Sequence, residues 1–548
     1  MGAAWHHRRE AAAMPSFASD LPTPRPRHRV VPLTLWRVAM LLAWLGLAGC
    51  SSLPSRPPLP DEAALPAATA GALAAQVAPL VQAHPGRSGF VPLDSGLDAF
   101  AARVWLVDRA GSSLDIQTYI WRSDRTGRWL LTRLQAAAER GVRVRLLLDD
   151  GNGSPTLDGL LSQLDAHPGA EVRFFNPYPH RGLGRAWDLA TDFSRLHRRM
   201  HNKTFNADGV VTILGGRNVG DEYFGAAADM EFADLDVLAV GPIVGEVSAS
   251  FDAYWNSASA YPRRSLLLPG NDRPLTPEQQ AALDEASAYA KDLRERPRVE
   301  RWRERGPQAS DFVWGRSTLF VDPPDKVLKQ AGESELMLPR LARTLGNADR
   351  SIDIVSPYFV PTDDGVAAFT ALHDRGVRLR VLTNSLAATD VSAVHAGYAP
   401  YRPALLDGGV ELYELRPVPA PEGRARGRLL GLGSSRASLH AKTFAVDGER
   451  VFIGSFNFDP RSAWLNTEIG VLLEHPGLAQ RIGQAFDTEV PRQAWQVTRD
   501  PDRGPDALRW RGQTPEGQPI ELTEEPEAGW LTRLWVWLLS WLPIDGLL

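Results

Sequence analysis

Cysteine is almost missing from this chain. Cys50 is the single one in 548 residues, which excludes an intramolecular disulfide framework. Long apolar runs are missing too. The stretches Val38 to Leu47 and Gly529 to Leu542 both fall short of the roughly 20 residues that a membrane-spanning helix needs. Nor is there an excess of positive charge: 60 Lys and Arg stand against 65 Asp and Glu, a net of −5. The first 49 residues hold six Arg and two acids, so the remaining 499 carry −9. That balance tilts against nucleic-acid binding, which goes with a basic surface, although local patches count for more than the total. No group of His and carboxylates stands at metal-ligand spacing, so neither a metal nor another cofactor is expected. The 499 residues suffice for two domains with ample cores.

What is present is a phrase written twice. His201-Asn202-Lys203 is followed by Asp208, and His440-Ala441-Lys442 by Asp447, both reading H-x-K-x4-D. Each is trailed by a glycine-rich turn and an asparagine, Gly215-Gly216-Arg217-Asn218 and Gly454-Ser455-Phe456-Asn457. The repeat reaches further. Leu114 to Ile120 matches Ile352 to Tyr358, and Gly141 to Leu146 matches Gly376 to Val381, at offsets of 235 to 239 residues that the His motif shares. One short motif arises by chance; two with matched surroundings indicate a duplicated half-site.

Read as strands, each motif puts its His and Lys on one face, because residues i and i+2 point the same way. Asp208-Gly209 and Asp447-Gly448 are hairpin dipeptides, and Val210 to Leu214 and Val451 to Ile453 read as return strands ending at Asn218 and Asn457. Between the first two repeated blocks, Trp129 to Arg140 has the apolar period of a helix. Strand, helix, strand implies a parallel pair joined by a crossover. The fold class is therefore α/β, with one mixed sheet per half, helices on its faces and the site at a pseudo-two-fold seam.

Two His, two Lys and two Asn suit attack on a phosphodiester without metal. A neutral imidazole is a nucleophile, an imidazolium is an acid, and histidine takes either form near neutral pH. Lysines and asparagines surround the phosphoryl oxygens where charge must be stabilised. An orienting carboxylate is expected on the far nitrogen of each His. Glu468 fits in the second half and Asp236 in the first, with Asp234 as the alternative. Asp208 and Asp447 read as catalytic members of the motif or, equally, as turn residues. Gly216, opposite Ser455, leaves the first half one hydroxyl short.

The doubled H-x-K-x4-D with G-[SG]-x-N resembles the phospholipase D superfamily over roughly residues 90–500. The resemblance implies two α/β/α sandwich domains and a covalent phosphohistidine. By analogy with members whose nucleophile lies in the N-terminal half, it implies His201 as nucleophile and His440 as acid and base. Gly215 to Phe224, Thr383 to Asp390 and Val394 to Tyr398 further resemble the bacterial cardiolipin synthase C-type subgroup. That implies phosphatidyl transfer to phosphatidylglycerol, with phosphatidylethanolamine as a further candidate donor. The alternatives are a hydrolytic phospholipase D yielding phosphatidic acid and a secreted nuclease. Asp208 and Asp447 count against the tyrosyl-DNA phosphodiesterases of the superfamily, and both motifs in one chain fit a monomer.

The ends speak to location. Arginines 25, 27, 29 and 37 precede the apolar stretch that closes in Leu47-Ala48-Gly49-Cys50-Ser51. A basic region, a short apolar core and small residues make a secretory signal. Leu-Ala-Gly-Cys resembles the bacterial lipobox, implying cleavage before a lipidated Cys50 and a periplasm-facing lipoprotein, with Ser51 favouring the outer membrane over the inner. The expected organisation is signal peptide 1–49, Pro/Ala-rich tether 50–80, first domain 81–270, charged helical connector 271–325, second domain 326–500 and C-terminal extension 501–548. In that extension Trp530, Trp535, Trp537 and Trp541 lie among leucines. The segment reads as an interfacial helix or as one docked on the protein's own core.

Overall fold

The computed structural model describes residues 53–227, 231–266, 276–417, 437–514 and 516–540. Cys50, the apolar stretch before it and Trp541 lie outside the described residues. Among the described residues no helix is long and apolar enough to cross a membrane.

In the first half, chain order gives β1 (Ser88–Leu93), β2 (Ser113–Thr118), β3 (Arg143–Asp149), β4 (Ala170–Phe175), β5 (Thr204–Ala207), β6 (Val211–Gly215), β7 (Glu231–Ala233), β8 (Asp236–Val240), β9 (Ala260–Pro262) and β10 (Val313–Gly315). All but β7 form one sheet, ordered β10-β1-β8-β6-β5-β2-β3-β4-β9. The second half gives β11 (Ser317–Val321), β12 (Ser351–Val355), β13 (Arg378–Asn384), β14 (Val410–Leu415), β15 (Ala437–Leu439), β16 (Lys442–Val446), β17 (Arg450–Gly454), β18 (Ile469–Glu474), β19 (Ala494–Arg499), β20 (Leu508–Gln513) and β21 (Pro519–Leu522). Its sheet runs β11-β18-β17-β16-β12-β13-β14-β19-β20-β21, with β15 paired to β7 instead. Eight strands correspond one to one, from β1 with β11 through β9 with β19. In both halves the central three, β2-β3-β4 and β12-β13-β14, are parallel.

The crossover helix after β2 shows how the sequence builds these layers. Arg125–Glu139 starts at Asp124, whose side chain accepts from the Gly127 N–H at 3.0 Å. It buries Leu130, Leu131, Leu134, Ala137 and Ala138, a stripe at helical spacing. Each fully buried leucine contributes about 1.5–3 kcal/mol, so Leu134→Asp would detach this helix. The repeated G-V-R-x-R block has a structural use. Arg145 pairs with Asp115 at 2.6 Å and Asp252 at 2.7 Å, and Arg380 pairs with Asp353 at 2.6 Å and Asp487 at 2.5 Å. Both pin a helix to the sheet from the same place. One apolar cluster draws on both halves, with Val237, Ile243 and Val247 beside Ile453, Val471 and Ile482, so the seam is a shared core.

Three peripheral segments differ from expectation. Residues 53–70 are not a loose tether. Arg56 donates to the Ala260 carbonyl at 2.8 Å, Ala64 N–H donates to Asp252 at 2.7 Å and Glu62 pairs with Arg173 at 2.8 Å, before the helix Ala72–Gln82. Pro and Ala composition hid these few polar anchors. The connector helices Pro277–Arg294 and Pro297–Arg305 bury Ala286, Leu293 and Trp302, with Trp302 meeting Trp105 edge-on at 6.1 Å. Past the second domain's expected end, β20 and β21 extend its sheet, and the helix Trp530–Leu539 packs Val536 against Leu386 and Ala396.

Candidate active site

Each motif sits at the mouth end of a hairpin, β5–β6 or β16–β17. His201 and His440 are 7% and 6% exposed and face one cavity of about 720 Å³, also lined by Asn218 and Asn457. The motif aspartates are elsewhere. Asp208 and Asp447 occupy the turns at the opposite hairpin ends with φ of 54° and 58°, beyond the far ends of β5 and β16. Asp208 accepts from the N–H groups of Gly111, Ser112 and Ser113 and from the Ser112 hydroxyl, at 2.8–3.0 Å. Asp447 accepts from the N–H groups of Asp349, Arg350 and Ser351 at 2.7–3.2 Å. Burial works against its charge, yet these donors hold its carboxyl below the usual range. Their place in the catalytic set is corrected: they splice the loop before β2 or β12 to the hairpin, because a left-handed turn aims an Asp carboxylate at neighbouring backbone N–H groups.

The orienting carboxylates cross the seam. His201 Nδ1 meets Glu468 of the second half at 2.8 Å, and His440 Nδ1 meets Asp234 of the first at 2.6 Å. Backbone pairing enforces the exchange. His201 N–H donates to the Thr467 carbonyl at 2.9 Å and His440 N–H to the Ala233 carbonyl at 2.8 Å, while β7 runs parallel with β15 just before His440. Asp236 is not the carboxylate on His440. It pairs with Arg103 at 2.9 Å and accepts the Arg217 N–H at 3.0 Å. The register explains why: Gly215 faces Asp236 as Gly454 faces Gly470. The counterpart of Glu468, two residues before Gly470, is therefore Asp234.

Ser455 donates to Glu468 at 2.5 Å. In the first half a Cβ at Gly216 would stand 2.2 Å from Asp234 Oδ1, so glycine makes the room that Asp234 fills. Lys203 Nζ donates to the His201 carbonyl at 2.5 Å, and Lys442 Nζ donates to the His440 carbonyl and lies 3.0 Å from His440 Nδ1. Both lysines thus sit behind the histidines. Asn218 accepts from Ile120 N–H at 3.1 Å and donates to the Tyr223 hydroxyl at 2.9 Å, which leaves one amide hydrogen toward the cavity.

The electrostatics differ across the seam. Burial lowers Lys203 to about 7 and Lys442 to about 8. Burial, then Lys203 and Lys442, hold His201 well below the ordinary imidazole value. His440 is also lowered, by burial and Lys442, against the pull of Asp234. Burial pushes Glu468 up to about 7 despite Lys203 and Ser455. Burial pushes Asp234 the same way, but His440 and Lys442 bring it below the usual carboxylate value. With Nδ1 engaged, each ring offers Nε2 to a substrate.

The motifs did not point to the aromatic walls. Tyr119 meets His201 edge-on at 5.0 Å; Tyr223 and Phe232 flank His440 at 5.2 and 4.9 Å. Tyr358, three residues past the end of β12, donates to Asp390 at 2.9 Å. Tyr119 and Tyr358 lie just past β2 and β12, and strand carboxyl ends are where α/β sheets place their sites. That signal was available.

The family described as cardiolipin synthase, PLD-like domain, matches residues 105–255 and again 341–490. The first match contains His201 and Asp234, the second His440 and Glu468. Cardiolipin synthase C of Escherichia coli (strain K12) is 45% identical over 477 residues, covering 87% of this chain and 99% of that one. An uncharacterized protein of Helicobacter pylori (strain J99) is 32% identical over 462 residues, covering 82% of this chain and 88% of its own. Among solved structures, a phosphatidylserine synthase of Haemophilus influenzae Rd KW20 shares the fold, with a TM-score of 0.52 at 13% identity over 86% of this chain and 100% of that one. The doubled motif, the duplicated sheet and these likenesses agree: the chain belongs to the cardiolipin synthase family of PLD-like proteins.

Proposed function

We propose that the protein is a phosphatidyltransferase that forms cardiolipin, with phosphatidylglycerol as acceptor and phosphatidylglycerol or phosphatidylethanolamine as donor. The observation that carries this reading is the pair of buried histidines facing one cavity, each held at Nδ1 by the other half's carboxylate. His201 Nε2 attacks the donor phosphorus. The bond from phosphorus to the headgroup oxygen breaks, and His440 gives that oxygen its proton. The acceptor hydroxyl then attacks phosphorus and yields its proton to His440, and the phosphorus–nitrogen bond returns its electron pair to His201. The depression of His201 supports the neutral nucleophile. The anionic Asp234 supports the half that must become imidazolium. Asn218 and Asn457 offer hydrogen bonds to the phosphoryl oxygens, and Lys203 and Lys442 add positive charge from behind the histidines. Cys50 carries lipid and holds a monomer on the periplasmic side, at the outer membrane rather than the inner.

The test incubates purified protein with labelled phosphatidylglycerol, with and without phosphatidylethanolamine, in EDTA. Cardiolipin is expected, along with a phosphatidyl adduct on His201 in a denatured digest of the parent enzyme quenched during turnover. Phosphatidic acid as the sole product overturns transfer in favour of hydrolysis, and an adduct on His440 reverses the assigned roles.

A further inference from the structure

Three exposed apolar segments connect to the elements that line the cavity, and transfer chemistry does not require them. The helix Trp530–Leu539 exposes Trp530, at 68%, together with Leu531, Leu534 and Trp535. Its opposite side packs Val536 on Ala396, within the helix Ser392–Tyr398, whose Val394 lines the cavity beside Val391. Glu525, just before this helix, is tied to Arg402 at 2.5 Å, so the extension is fixed in place. Trp464, 47% exposed, lies between Ser462 and Asn466, which line the cavity. Arg461 of the same turn donates to the His197 carbonyl at 2.7 Å, and Phe193 stacks on the His197 ring at 4.7 Å. That links the third segment, where Leu183, Trp187, Leu189 and Phe193 are exposed. Among the described residues, every strongly exposed large apolar side chain except Leu65 belongs to one of these three segments.

We infer that the three segments form one docking face that seats the cavity mouth on a lipid bilayer. The inference rests on the proposed phosphatidyl transfer. A cavity of about 720 Å³ is of the size that holds a drug-sized ligand. It takes headgroups and phosphodiesters but not the acyl chains of two phospholipids. The chains therefore stay in the bilayer while phosphorus reacts, and whatever borders the mouth touches lipid. The composition agrees. Tryptophan favours the headgroup region, and a helix of ten residues, about 15 Å long, lies along the surface rather than across it. Its one described charge, Arg533, is paired with Glu524, so little charge opposes insertion.

The test uses the full chain carrying Cys50→Ser, so that an acyl anchor does not mask the face, and vesicles of phosphatidylethanolamine and phosphatidylglycerol. Trp530→Gln with Trp535→Gln is expected to weaken co-sedimentation about tenfold or more and to lower turnover of vesicle lipid in parallel. Turnover of short-chain phosphatidylglycerol below its micelle concentration stays unchanged. Phe193→Gln with Trp464→Gln, in the other two segments, is expected to act in the same direction. Vesicle binding unchanged in the folded double variants overturns the face, as does an equal loss on monomeric lipid. A shift in sedimentation mass on substitution overturns it in favour of a second copy of the chain. If the parent binds vesicles through these tryptophans but turns over neither lipid form, the face stands and the transfer reading falls. If it makes cardiolipin independently of them, the transfer reading stands and the face falls.

Discussion

The two half-sites are copies in backbone and unequal in chemistry. Around His201 stand Glu468, pushed up to about 7, and a Ser455 hydroxyl donating to it at 2.5 Å. Around His440 stand Asp234, brought below the usual carboxylate value, and a bare Gly216. The missing hydroxyl is thus no defect of the first half. The shorter acid comes close enough that a side chain at position 216 would collide with it. Duplication supplies geometry, and one methylene with its neighbour then separates a histidine kept neutral from one paired with a settled anion. Because the carboxylates cross the seam, neither half holds a complete site.

Removing either ring breaks the comparison outright. His201→Ala and His440→Ala should each lower the transfer rate by about 10⁴-fold or more, the first by removing the nucleophile and the second by removing the acid and base that both steps use. Full activity in either would refute the two-histidine scheme. Amide variants of the acids come next. Asp234→Asn should cost about 10³-fold and Glu468→Gln about 10²-fold, because Asp234 balances a full imidazolium while Glu468 is near half-protonated at pH 7. Equal losses would mean equal roles.

The pH profile of kcat/KM sharpens the same point. Falling pH protonates Glu468 near 7 and weakens its hold on the His201 Nδ1–H. Rising pH discharges Lys203 near 7 and Lys442 near 8. The parent should show a narrow maximum close to neutrality, and Glu468→Gln should lose the acid limb while keeping the alkaline one.

The fold was legible because duplication doubles every signal. The spacing of Leu114, Gly141 and His201 recurs at Ile352, Gly376 and His440, so a weak helix or strand pattern in one half is checked by the other. Of the candidate site, the doubled motif marked the histidines and asparagines that face one cavity, and the lysines that sit behind them. The carboxylate on His440 stood in the sequence only as the alternative to Asp236, for lack of strict alignment. Asp234-Leu235-Asp236-Val237-Leu238 lies over Glu468-Ile469-Gly470-Val471-Leu472 once the apolar residues are matched, which sets Asp234, not Asp236, over Glu468. The crossing itself is not written locally. It depends on Thr467 and Ala233 reaching the other half's backbone, contacts of a kind that residue spacing does not encode. Likewise Arg145 and Arg380 look like surface charges in a strand until Asp252 and Asp487 arrive from helices more than a hundred residues away.

A smaller effect comes from the residues that set the acids' room. Gly216→Ala must push Asp234 aside and should lower turnover about tenfold. Ser455→Ala removes one donor to Glu468 and should cost a few-fold, on the order of 1 kcal/mol. The reverse order would mean that the hydroxyl, not the space, is the feature that matters.

The smallest effect on chemistry is expected at the motif aspartates, and it separates a shared signature from a shared role. Asp208→Asn and Asp447→Asn keep a side chain that tolerates the left-handed turn, so the change isolates the loss of a charged acceptor. Both lie at the far ends of hairpins whose other ends carry the histidines, so turnover should stay within about threefold while stability falls by about 1–3 kcal/mol. The two should not fall equally. Asp208 is 1% exposed and takes four donors at 3.0 Å or less; Asp447 is more open and takes three backbone donors at up to 3.2 Å. Thermal unfolding should therefore rank Asp208→Asn below Asp447→Asn. The lowered carboxyl of Asp447 adds a pH signature: its stabilisation is present above the ordinary aspartate value and is lost as pH falls through its own, so the Asp447→Asn difference should shrink in acid. A collapse of turnover in either variant with the fold intact would return these carboxylates to the chemistry and undo their assignment as splices.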